Sequence, residues 1–274
     1  MQIQLYTMCW NEAPMLPYFF RHYERIADHI VVYDNCSDDG SQAIIQAHPK
    51  AELRTINTQG QNLQAAMVAV KGRAWTESRS RRLRPLGIPP PVISVMPSEP
   101  MPFETVEPAD WVIACDVDEL VHHPNLRDYL QQCRDTGVTV PLTTGYQMVS
   151  DRFPKGQGQI YEEVRCGFPH AEYSKPAVFD PHAIEDMRYT PGCHDCKPIG
   201  KVVTRSDPAL KLLHFKLLGF EYVLRRYGEL GARQPPSERS RGWCWQYHMP
   251  GDILRERFGK DLLAARPVAL GAAP

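Results

Sequence analysis

The feature that most narrows what this chain can fold into is an alternation in its first half. Short runs of strand formers take turns with stretches of helical period, and polar or acidic residues close the strands. Gln2–Cys9 mixes β-branched and aromatic residues with polar ones and reads as a strand. From Met15 a helix is expected, with Leu16, Phe19, Phe20, Tyr23, Ile26 and Ala27 on one face and Pro14 and Pro17 confined to its start. His29–Tyr33 and Ala51–Asn57 are further short strands, with a helix near Gln42–Ala47 between them. Gln61–Ser78 has helical composition, Trp111–Cys115 is the next strand, and His123–Thr136 the next helix. Strands separated by helices predict an α/β fold with a Rossmann-like mixed sheet, mostly parallel and flanked by helices. Function in such sheets gathers at the carboxyl ends of the strands, where Asn11, Asp34 and Asp116 fall.

Two segments depart from this pattern. Arg84–Pro108 carries eight prolines, so regular helix or sheet is not expected there. After Thr139 strands and irregular loops dominate, with helices near Gly219–Gly231 and Asp252–Ala265. The expected organisation is one domain over residues 1–265, a proline-rich insert at about 80–108 and a tail over 266–274. The N-terminus MQIQLYTMCW lacks the basic start and apolar core of a signal peptide, and no apolar run approaches the ~20 residues that span a bilayer. A cytoplasmic protein is expected, with its eight cysteines reduced. The net charge of -1 gives no global attraction to nucleic acid or acidic lipid, so any polyanion must meet a local patch.

The stretch DWVIACDVDEL poses the chemical question. Trp111–Cys115 is apolar enough to be buried, yet it runs into Asp116, Asp118 and Glu119, and a buried carboxylate is costly unless neutralised. Two aspartates one residue apart at a strand end can hold Mg²⁺ or Mn²⁺, which take oxygen ligands and keep positions for water or substrate phosphate. A solvated acidic turn has the same pattern. DNCSDDGS at 34–41 follows the strand HIVVY; its acids and amides suit a nucleobase and ribose, and its residue types also suit an ordinary strand–turn–helix junction. His214, in LLHFK, is a candidate metal ligand or a hydrogen-bonded core histidine.

Taken in order, these segments resemble a family. CWNEAPMLPYFFRHYERIADHIVVYDNCSDDGS looks like the opening of a family-2-like glycosyltransferase of the GT-A fold, and DWVIACDVDEL like the DxD strand of its bacterial branch. KPAVF, PGCH, LLHFK and RGWCWQYH resemble landmarks of the second half, while the proline-rich insert matches nothing in the family. The resemblance implies transfer of a sugar from a nucleotide-diphosphate donor, UDP expected, to a hydroxyl on a glycan, a lipid-linked or another acceptor. It implies inversion at the sugar, Mn²⁺ or Mg²⁺ as cofactor, and a place in surface-polysaccharide assembly at the inner face of the membrane. Asn11, Glu12, Asp34, Asn35, Asp39, Lys71 and Asp116 would bind the donor, and Asp116, Asp118 and His214 the metal. The family's Glu-Asp acceptor motif is not plain, which leaves Glu185, Asp186 and Asp195 as candidate bases.

Other readings stay open. A nucleotidyltransferase shares the acid–metal logic. Cys193, His194 and Cys196, with Cys166 and His170, have spacing for a structural zinc site in a non-catalytic module that binds glycan or nucleic acid. Arg79, Arg81, Arg82 and Arg84 could meet acceptor phosphates or end a solvated helix. Trp243, Trp245 and Tyr247 would share one side of an extended segment, where rings suit sugars or tail packing.

Overall fold

The computed structural model describes residues 1–62, 64–85 and 103–271. The first half follows the predicted alternation: β1 (Ile3–Cys9), α1 (Leu16–Tyr23), β2 (His29–Asp34), α2 (Ser41–Ala47), β3 (Ala51–Thr55) and α3 (Gln64–Arg73). A short ribbon pairs β4 (Arg82–Pro85) with β5 (Phe103–Val106), so the ends of the proline-rich insert are strands where none was expected. Residues 86–102, which hold most of that expected irregular segment, lie outside the described residues. Next come β6 (Trp111–Ala114), β7 (Glu119–His122), α4 (Leu126–Asp135) and β8 (Val140–Ser150). The chain continues with α5 (Ile160–Glu163), β9 (Cys166–Pro169), β10 (Val178–Phe179), β11 (Ile184–Asp186), β12 (Ile199–Gly200) and β13 (Thr204–Leu218). It closes with α6 (Phe220–Ala232), α7 (Pro236–Arg239), α8 (Gly251–Ala264) and β14 (Arg266–Pro267).

The fold class is the expected one. The first sheet has the order β10-β6-β1-β2-β3, parallel throughout except for β10 at its edge. Its central strands are buried along nearly their whole length, which is why they read as near-continuous apolar runs. On one face α1 buries Leu16, Phe19, Phe20 and Tyr23 in the main core, while Trp75 and Phe179 pack edge to face on the other side. The second sheet, β14-β9-β8-β13-β7, pairs β8 and β13 in parallel and its other strands antiparallel.

Several expectations are corrected. The span expected as one helix over Gln61–Ser78 is α3 followed by a 3₁₀ turn at Ala74–Arg79. β7 was not foreseen: its four residues stand between an acidic turn and a helix, and antiparallel pairing with β13 makes them a strand. The residues after 265 are not a free tail, because β14 joins the second sheet through β9. Three of the four clustered arginines are used internally, while Arg81 pairs with Glu107 at the surface. Arg79 donates to the carbonyls of Pro181 and Ile184, Arg82 pairs with Glu52 and Glu77, and Arg84 with Glu104. Trp243, Trp245 and Tyr247 do not lie on an extended strand, since Trp245–His248 forms a 3₁₀ turn. Among the described residues no helix is long and apolar enough to cross a membrane.

Candidate active site

The site is built where β1, β2 and β6 end. β6 delivers the chain into Asp116, Val117 and Asp118 before β7 begins, and β13 runs antiparallel to β7 with His214 opposite Glu119. Side chains alternate along a strand, so His214 and Lys216 leave β13 on the same side. A cleft of about 170 Å³ results, lined among others by Trp10, Glu12, Asp116, Asp118, His214, Lys216, Arg226 and Arg233.

Each of the three acids has its own buried or half-buried lysine. Lys71, 1% exposed, lies 2.6 Å from Asp116; Lys175 lies 2.7 Å from Glu119, which has no exposed surface; Lys216 lies 3.7 Å from Asp118. Burial pushes the Glu119 carboxyl up, but Lys175, Lys71 and His214 together hold it well below the usual carboxylate range. Its other oxygen accepts a hydrogen bond from the Asp116 amide at 3.0 Å, which fixes the turn that presents both aspartates. For Asp118 burial again works upward, and Lys216 followed by His214 brings the carboxyl below its ordinary value.

His214 and Asp118 make an unusual pair. Nε2 of His214 stands 3.6 Å from Oδ2 of Asp118, beyond hydrogen-bond reach. On the far side of the ring, Nδ1 is 2.8 Å from Oε1 of Gln147. The Gln147 amide is oriented by its nitrogen, which donates to the carbonyls of Met148 and His214, so its oxygen can only accept and Nδ1 carries the proton. Burial lowers the His214 pKa to about 4 against the pull of Asp118. The neutral ring therefore turns a lone pair toward a carboxylate, an arrangement that suits a cation between them. An imidazole held through its other nitrogen is the usual form of a metal-ligating histidine. Among the described residues no three His, Cys, Asp or Glu side chains gather as a metal cluster, so the protein would supply two ligands and leave the rest to phosphate and water. Cys166, His170, Cys193, His194 and Cys196 form no group of three potential ligands among the described residues, and all eight cysteines are free.

The cleft also has a cationic wall. Arg226 donates to Glu12 at 2.5 Å and to the Trp10 carbonyl at 3.3 Å. Arg233 lies over the Trp10 ring at 3.6 Å, within the range of cation–π contact. Lys216 adds a third cation, 5.8 Å from the Tyr247 ring.

Other sequence candidates fall into two groups. Glu12, Asn35 and Asp116 line the cleft. Asp34, Asn11, Asp39 and Lys71 do not. Asp34 is fully buried and accepts from the Ser37 amide, the Ser37 hydroxyl and the Gln42 amide, which leaves no free face for a ribose. Asn11 exchanges hydrogen bonds with Asp38, and Asp39 caps the Ser41 and Ala13 amides, so both shape the turn. Lys71 is paired with Asp116 beneath the cleft lining. Glu185 and Asp186 sit on the β11–β12 ribbon, with Asp186 paired to Arg73 at 3.3 Å, and Asp195 is exposed in the following turn; none of the three lines the cleft. Lys216, Arg226 and Arg233 also line the cleft and were not among the residues expected there. The two-residue spacing of His214 and Lys216 on a strand was the available signal for the first.

No family model matches the chain, and no curated protein matches it. Among solved structures it is similar to S. aureus TarS 1-349, with 11% identity, a TM-score of 0.41, and coverage of 85% of this chain and 65% of that one. The same fragment in complex with UDP-GlcNAc gives 12% identity, a TM-score of 0.39 and coverage of 84% and 66%. In complex with UDP it gives 11%, 0.39, and 85% and 65%. The chain thus spans just under two thirds of the TarS fragment.

Proposed function

We propose that this chain is a glycosyltransferase that moves a sugar from a nucleotide-diphosphate donor, UDP being the expected nucleotide, to a hydroxyl acceptor. The observation that carries the reading is the convergence of the Asp118 carboxylate and the His214 lone pair, 3.6 Å apart, in a cleft walled by Lys216, Arg226 and Arg233. A diphosphate meets both needs at once, since its oxygens complete a divalent ion's coordination and its remaining charge faces the cations. Asp118 and His214 would hold Mn²⁺ or Mg²⁺. When bound, such an ion supplies charge neutralisation for the departing diphosphate. Lys216 and Arg233 bind the phosphates directly, and Arg226 positions Glu12 beneath them. Asp116, anchored by Lys71, keeps the turn rigid.

The test is UDP binding by calorimetry and thermal shift, with Mn²⁺ or with EDTA. A ligand at 100 times its Kd stabilises the folded state by about 2.7 kcal/mol. Wild type should show this with Mn²⁺ present, and Asp118→Asn should bind UDP at least tenfold more weakly in Mn²⁺ without losing its fold. Equal binding of Mn²⁺ and UDP by Asp118→Asn would refute the site.

A further inference from the structure

Next to the donor cleft lies a second, larger cavity of about 350 Å³. That volume is within the range of about 300–1,000 Å³ typical of small-molecule sites. Phe168, Trp243 and Trp245 give it aromatic walls, and Glu172, Arg257 and Asp261 add hydrogen-bonding groups. Trp245 is 56% exposed at the cavity's border, with Arg257 over its ring at 5.3 Å. Flat apolar faces beside charged and polar groups suit a ring that carries hydroxyls on its rim.

The two cavities share walls. Four titratable side chains line both: Tyr173, His194, Tyr227 and Cys244. Burial pushes both tyrosines and the cysteine up, Tyr227 to about 12, so all three keep their protons near neutrality. His194 differs. Burial lowers its pKa, with Lys175 acting in the same direction and Glu119 and Asp116 opposing, so the ring is neutral and can accept a proton. Its Nδ1 is buried with no hydrogen-bond partner among the described residues, which leaves Nε2 as the nitrogen able to meet a substrate hydroxyl. Tyr173 packs against it edge-on at 5.6 Å and against His214 at 4.0 Å, so both imidazoles touch one phenol ring. Glu185, Asp186 and Asp195 line neither cavity, and Glu172 and Asp261 line only the larger one.

Resting on the transferase reading above, we infer that the larger cavity seats a sugar acceptor and that His194, at its junction with the donor cleft, takes the proton of the attacking hydroxyl. The acceptor oxygen forms a bond to the donor's anomeric carbon, and the bond from that carbon to the phosphate oxygen breaks. Its electron pair leaves with the nucleoside diphosphate, and the hydroxyl proton ends on the imidazole. A single displacement of this kind inverts the anomeric centre.

The experiment follows UDP release from UDP-hexoses and UDP-N-acetylhexosamines by the full chain, with oligosaccharide acceptors or with water alone, together with UDP binding. A general base contributes about 10²–10⁴-fold. His194→Gln should lower kcat at least a hundredfold, leave the Kd for UDP within twofold, and abolish the fall in rate on the acid side of the wild-type profile, below the ordinary histidine value of 6.5. Trp245→Ala should raise the acceptor KM at least fivefold with UDP binding unchanged. His194→Gln that keeps a third of wild-type kcat with the acid limb intact overturns the assignment and leaves the transferase standing. Wild-type protein that binds UDP yet turns over no donor also overturns it. Wild-type protein that binds no UDP sinks both readings together.

Discussion

Replacing Lys175 by methionine keeps the length of the side chain and removes the charge that faces Glu119. The pair lies under the site, 2.7 Å apart, with 1% and 0% of the two side chains exposed. At an effective dielectric near 20 the attraction at this distance is about 6 kcal/mol, but desolvation offsets much of it, and breaking such a buried pair costs about 3–5 kcal/mol. Glu119 retains the attraction of Lys71 and the Asp116 amide, so the low end, about 3 kcal/mol, is expected. For a chain of this size that lowers the Tm by roughly 6–12 °C. Urea unfolding followed by tryptophan fluorescence gives the difference from the midpoint and slope. The pH dependence has a definite sign. Glu119 is depressed in the folded protein, so its contribution is present above about 4.5, its unfolded value, and is lost as the pH falls. The gap between wild type and Lys175→Met should therefore be widest near neutrality and close in acid. The double variant Glu119→Leu with Lys175→Met leaves no lone charge and should recover at least half of the loss. A single variant within 1 kcal/mol of wild type, or a double variant no better than the single, would refute the claim that the acids here depend on their lysines.

Two more tests address the supports of the site. Gln147→Leu frees Nδ1 of His214 and should weaken Mn²⁺-dependent UDP binding about 10–100-fold, as loss of an outer-shell partner does, with the midpoint of unfolding moved far less. Gly145→Ala places a methyl group against the backbone of Tyr173 and Ser174. It should cost about 1–3 kcal/mol by overpacking. Displacing Tyr173, whose ring packs on His214, should also lower UDP affinity, read by calorimetry on the folded fraction.

What could be read in the sequence follows from how far each signal reaches along the chain. The parallel strands were legible because buried β-branched runs such as HIVVY need no distant partner to be recognised. β7 was not, because Glu119–His122 is a strand only by virtue of β13, about ninety residues later. At the site, the positions of Asp116, Asp118 and His214 could be named, but their partners could not. Asp34 looked like a ribose ligand because a carboxylate at a strand end is exposed in the simplest picture; Ser37 and Gln42 fold back and saturate it. Lys71 looked free on a helix, yet α3 turns it inward onto Asp116. His194 stands out in the sequence only beside its cysteines, since nothing local marks the meeting of two cavities.

The antiparallel ladder that sets His214 opposite Glu119 has a consequence for how such a chain can diverge. Main-chain hydrogen bonds between the strands hold His214 beside Asp118, so the turns around Glu172 and Pro191, which line the larger cavity, can vary in length without changing that register. A single-residue insertion within Lys211–His214 has the opposite effect: it would turn the imidazole to the other face of β13 and bring Leu213 into its place. The turns around the larger cavity are thus free to drift while the Asp118–His214 pair stays in register.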